Sequence, residues 1–128
     1  MGGAELKELI FIASSHKDIQ SFPEEVQHVM GFALYEAQSG AKHPSAKPLN
    51  GFNGAGVLEV VEDYDGDTFR TVYTVRLGDV VYVLHAFQKK SKRGAKTPQR
   101  DIDLVKTRLA LAEKHHKERQ GQGEGKGR

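Results

Sequence analysis

The chain has no cysteine. Disulfides and thiolate metal sites are therefore excluded, and a reducing compartment fits. It also has no apolar run near the roughly 18 residues that a membrane-spanning helix needs. The opening residues 1–5 (MGGAE) hold no basic region followed by an apolar stretch, so no secretory signal is expected there. These absences make a cytoplasmic protein the expectation. Positive charge is scarce in the front half. Residues 1–69 carry 4 Lys or Arg against 11 Asp or Glu, whereas residues 86–128 carry 13 against 5. The formal net charge is only +2. An acidic front and a basic back fit a molecule with one cationic face for nucleic acid or an acidic protein. Charge separated along a chain need not stay separated in space, and charge alone leaves both readings open.

A length of 128 residues, 38% hydrophobic and 28% charged, suits one domain with one core and a highly polar surface. That domain is expected over residues 1–120. The Gly-rich polar segment 121–128 reads as a disordered tail. There is no internal repeat.

Residues 6–13 (LKELIFIA) read as a strand, with a helix as the alternative. Residues 16–20 suggest a short helix. Ser21-Phe-Pro-Glu24 has the pattern of a capping box with proline in the first turn. Val26, Val29, Met30, Ala33, Leu34 and Ala37 then follow helical spacing as far as Gly40. Residues 40–56 read as a loop. Its Gly51-Phe-Asn-Gly-Ala-Gly56 is not a phosphate-binding fingerprint, because it precedes a strand rather than a helix. Strands are expected over 57–61, 69–77 and 80–88, with an acidic turn at 63–67 and a two-residue hairpin at Gly78-Asp79. The turn's three aspartates lack the other parts of an EF-hand. Thr97 is the expected N-cap of a last helix, with Pro98 at its first position and Ile102, Val105, Leu109 and Ala112 as its apolar stripe. The adjacent His115 and His116 diverge by roughly 100° on such a helix, so they do not form a metal pair. The order of elements predicts an α+β fold with a largely antiparallel sheet.

The hairpin at 78–79 fixes a register in which Arg70 faces Phe87 and Val72 faces His85. Alternation then gives one face with Phe69, Thr71, Tyr73, Val75, Leu77, Val80, Tyr82, Leu84 and Ala86, the better core face. The other face would gather Arg70, His85, Phe87 and Lys89 at one end. Such a group suits RNA self-cleavage. Arg and Lys can hold the charge that builds on phosphorus, His can move protons near neutral pH, and Phe87 can stack on a base. The same residue types also make an ordinary solvated face, and the residues alone leave that open.

Six segments occur in order: Phe22-Pro-Glu-Glu25, Lys47-Pro-Leu-Asn-Gly51, Val57-Leu-Glu59, Phe69-Arg-Thr-Val-Tyr73, Val83-Leu-His-Ala-Phe-Gln-Lys-Lys90 and Thr97-Pro98. From about residue 6 to residue 115 the chain resembles the phage-derived RelE/HigB-like toxins of type II toxin–antitoxin systems, in the RelE/ParE superfamily. The stretch from Leu84 to Pro98 is the most specific part. The resemblance implies a compact fold with a curved antiparallel sheet. It implies a toxin that cuts mRNA on the ribosome through the RNA's own 2′-hydroxyl, with no metal or cofactor. It implies an antitoxin partner, often of helix-turn-helix type. Arg70 would contact the scissile phosphate, with His85, Lys89 and Lys90 as further catalytic candidates. Lys47, Arg76, Phe87, Lys92, Arg93 and Lys96 are the expected RNA-binding residues. Where many relatives read Leu-x-Glu-Leu-Arg, this chain has Leu58-Glu-Val-Val61, so one cation of those relatives has no counterpart. The superfamily also holds gyrase poisons, and a gyrase-inhibiting toxin or a non-catalytic nucleic-acid or antitoxin-binding module are the alternatives.

Overall fold

The structure is a computed structural model and describes residues 5–52, 56–89 and 96–126. Eight elements follow in order: β1 Glu8–Phe11, α1 Ser15–Gln20, α2 Glu24–Gln38, β2 Ala46–Pro48, β3 Val57–Tyr64, β4 Asp67–Leu77, β5 Val80–Lys89 and α3 Gln99–Lys126. The strands form one sheet in the order β1-β5-β4-β3-β2. β1 runs parallel to β5, and every other neighbour is antiparallel. This is the α+β, largely antiparallel architecture expected. The strand β2 was not foreseen. It has three residues and ends in proline, which suits only a sheet edge.

Helices cover both faces of the sheet. Val26, Met30, Ala33, Leu34 and Ala37 of α2 pack on Leu58, Val60, Phe69, Tyr73, Val81, Val83 and Ala86. On the other side Ile102, Val105, Leu109 and Ala112 of α3 pack on Val57, Val72, Val80, Tyr82 and Leu84. The assignment of a single better core face is therefore corrected. Val80, Tyr82 and Leu84 lie under α3, while Phe69, Tyr73 and Ala86 lie under α2. Two register shifts separate them, between Val72 and Tyr73 and between Thr74 and Leu77. At the first, Val72 pairs with His85 but Tyr73 pairs with Val83, so Leu84 is the extra residue of a β-bulge. Leu84 and His85 consequently both turn toward α3. Because both faces of β5 are buried, its run of apolar residues carries no alternation that would betray the bulge.

Two helix starts also differ from expectation. Ser21 does not cap α2; its hydroxyl donates to the Asp18 carbonyl at 2.6 Å, and the N-cap is Pro23. α3 begins at Gln99, with the Pro98 carbonyl accepting from the Asp101 and Ile102 amides at 3.0 and 3.1 Å. The backbone of 121–126 continues α3, where composition suggested a disordered tail.

Candidate functional site

β3 and β4 are in register with Val61 opposite Arg70 and Glu59 opposite Val72. Glu59 and Arg70 are thus diagonal neighbours on one face of the sheet, close enough for long side chains to meet. Arg70 Nη1 donates to Glu59 Oε1 at 3.1 Å, with the two side chains only 5% and 10% exposed. Thr97 closes the group. Its hydroxyl donates to Glu59 Oε2 at 2.7 Å and accepts from Arg70 Nη1 at 3.1 Å. A buried guanidinium–carboxylate pair repays its desolvation only when further hydrogen bonds satisfy it, and the threonine supplies one to each partner.

This group floors an open cleft of about 830 Å³. The walls come from the segment around β2, from β3 and from the start of α3. Lys47, Lys96 and Lys106 line it with Arg70, against the carboxylates of Glu59 and Asp63. Leu49, Val61 and Ile102 supply apolar wall, and Asn50 and Gln99 supply amides. The volume lies within the usual range of small-molecule sites and can seat a nucleotide. Four cations against two carboxylates favour an anionic ligand.

The expected cluster is brought together only in part. The register places Arg70 opposite Phe87, Val72 opposite His85 and Thr68 opposite Lys89, as the hairpin predicted. The side chains then part. Arg70 turns to the cleft floor. His85 is buried outside the cleft, with Nε2 at 2.8 Å from Asp101 Oδ1 and Nδ1 at 3.4 Å from Arg108 Nη1. Its ring stacks on Phe87 with centroids 4.8 Å apart. Lys89 ends β5, also outside the cleft lining. Arg76 pairs with Glu113 of α3 at 3.6 Å, away from the cleft. Lys47 and Lys96 do line it. Lys90, Lys92 and Arg93 lie outside the described residues.

Sequence reasoning did not assign Glu59, Asp63, Thr97 or Lys106 to the cleft; Asp63 read as part of an acidic turn. Lys106 follows Gln99 and Ile102 on one helical face, a spacing that could have revealed it. Glu59 shares the strand alternation of Val57 and Val61. Thr97 gave no usable signal, since a threonine before a helix reads as a cap.

Comparison with solved structures defines the class of fold. The Escherichia coli toxin RelE, as a mutant in the free state, is similar over 70% of this chain and 87% of its own, with 18% identity and a TM-score of 0.50. RelBE2, a toxin–antitoxin complex from Mycobacterium tuberculosis, contains a chain matched over 71% of this one and 100% of its own, with 15% identity and a TM-score of 0.46. The fold is RelE-like. The chain belongs to the family described as "Phage derived protein Gp49-like", a family of RelE/HigB-type toxins, whose profile matches residues 17–110. No curated protein matches it significantly.

Proposed function

We propose that this protein is the toxin of a toxin–antitoxin pair and acts as a ribosome-dependent endoribonuclease on mRNA. The observation that carries the reading is the cationic cleft, with Arg70 and Glu59 paired on its floor at 3.1 Å. In the reaction, the 2′-oxygen attacks the adjacent phosphorus and gives up its proton. The bond from phosphorus to the 5′-oxygen breaks, and that oxygen takes a proton as it leaves. The products are a 2′,3′-cyclic phosphate and a 5′-hydroxyl. Arg70 holds the charge that develops on the phosphoryl oxygens. Glu59 and Asp63 are the described carboxylates in the cleft able to receive the 2′-hydroxyl proton. Lys47, Lys96 and Lys106 hold flanking phosphates. Lys89 is the last residue of β5, and Lys90, Lys92 and Arg93 come after it in the sequence; this reading keeps all four as candidates for contact with RNA.

Family membership supports an antitoxin as the physiological partner and the cytoplasm as the place of action. No helix among the described residues is long and apolar enough to cross a membrane. The test is induced expression with mapping of mRNA 5′ ends. Growth arrest with cuts inside codons is expected, and R70K, which keeps a positive charge beside Glu59 but loses the planar guanidinium, should weaken both while a thermal melt shows it folded. Arrest with intact mRNA and an SOS response would replace this reading with gyrase inhibition.

A further inference from the structure

A threonine just before a helix ordinarily spends its hydroxyl on the helix's free amides. Thr97 does not. The first turn of α3 hangs on the Pro98 carbonyl instead, which accepts from the amides of Asp101 and Ile102. The Thr97 hydroxyl turns to the sheet and bridges two opposite charges, donating to Glu59 Oε2 at 2.7 Å and accepting from Arg70 Nη1 at 3.1 Å. A hydroxyl has one proton to give and lone pairs to receive. Here the proton goes to the carboxylate, and a lone pair faces the guanidinium. The direct contact ties Arg70 Nη1 to the other carboxylate oxygen, Glu59 Oε1. The three side chains therefore close a ring in which each holds the other two. One direct hydrogen bond leaves a carboxylate free to rotate about its last torsion. Engagement of the second oxygen removes that freedom. Glu59 and Arg70 are nearly buried, so water is a poor substitute for the bridge.

We propose that Thr97 is a positioning residue of the cleft. Its hydroxyl sets the Glu59 carboxylate and the Arg70 guanidinium in the relative orientation that RNA cleavage uses. The proposal rests on the endoribonuclease reading. Thr97 acts through its two partners and not on the RNA. Threonine and valine are nearly the same shape but differ by the hydroxyl, so T97V removes the bridge and keeps the packing. T97S keeps the bridge and loses a methyl.

The test compares purified wild type, T97V and T97S, each shown folded by thermal melting, in single-turnover cleavage of mRNA on programmed ribosomes. T97V should slow the cleavage step by about tenfold or more, a loss of orientation, while the half-saturating ribosome concentration changes by less than about twofold. T97S should stay within about threefold of wild type. A second readout needs no cleavage: the guanidinium proton signals of Arg70 in nitrogen-resolved NMR. They should match between wild type and T97S and be shifted or broadened in T97V. Unchanged rates in T97V overturn the proposal. So does a T97S as slow as T97V, or an Arg70 signal indifferent to the hydroxyl. If wild type itself cuts no mRNA, the endoribonuclease reading fails, and the NMR signals alone decide whether Thr97 positions the pair.

Discussion

Glu59 and Arg70 meet at 3.1 Å with side chains 10% and 5% exposed, on the floor of a cleft that is open to solvent. Breaking such a pair on one side leaves a nearly buried charge without its partner. Glu59→Gln should therefore lower stability by about 3 kcal/mol, whereas Glu59→Leu combined with Arg70→Met should cost much less. Urea unfolding of the three proteins checks this. Equal midpoints for wild type and the single variant would rule the pair out.

The cleft cations should govern salt dependence. Removing Lys47, Lys96 or Lys106 as alanine variants should weaken binding to single-stranded RNA and reduce the slope of log affinity against log salt by about 0.7 each. Arg76→Ala should leave the slope alone, because Arg76 pairs with Glu113 of α3 at 3.6 Å and does not line the cleft. Filter binding at several salt concentrations separates the two sets.

His85 sits between Asp101 at 2.8 Å and Arg108 at 3.4 Å, buried against the start of α3. His85→Ala should lower stability by about 2–3 kcal/mol, from a lost charged hydrogen bond and a cavity beside Phe87. Cleavage by the protein that remains folded should persist. A variant with wild-type melting and no cleavage would instead assign His85 to the chemistry.

Tyr73 is fully buried, and its hydroxyl has no hydrogen-bond partner among the described residues. Burial, with a smaller push from Glu36, raises its pKa to about 12. A proton held more tightly in the fold stabilises fully below the unfolded value near 10 and is lost as pH rises through the folded value. Alkaline unfolding should thus steepen between those two values. Tyr73→Phe should flatten that limb and, by removing an unsatisfied hydroxyl, leave stability at neutral pH equal or higher by about 1 kcal/mol. Melting temperature against pH is the measurement.

Gly78 has φ of 63°, and a Cβ there would stand 3.1 Å from His116 Nε2. Gly78→Ala should cost about 1–2 kcal/mol for the left-handed backbone, plus the displacement of His116. Adding His116→Ala should recover the displacement and leave the backbone part, as denaturant midpoints would show.

The hairpin at Gly78-Asp79 was readable because turn chemistry and strand lengths are local. It placed Arg70 opposite Phe87 and Val72 opposite His85, and the structure has both pairs. It did not reveal the bulge at Leu84. A bulge adds one residue to one strand, and an apolar run buried on both faces looks the same with it or without it. The edge strand at Lys47 was hidden for another reason. Three residues with a proline have almost no strand propensity of their own, and only β3 beside them makes them a strand.

Taken alone, the sequence determined the order of the elements other than β2, the apolar stripes of α2 and α3, the hairpin pairings from Thr68 to Val72 and the resemblance that family membership bears out. All of these depend on neighbours in the chain, through periodicity, turn residues and short motifs. Only the tertiary structure decided which cations share a cleft and which are held elsewhere. Lys47, Glu59, Arg70, Thr97 and Lys106 come from β2, β3, β4, the segment before α3 and α3 itself, and sheet order and helix packing bring them together. The same packing buries His85 against Asp101 and spends the Thr97 hydroxyl on Glu59 and Arg70 rather than on its own helix.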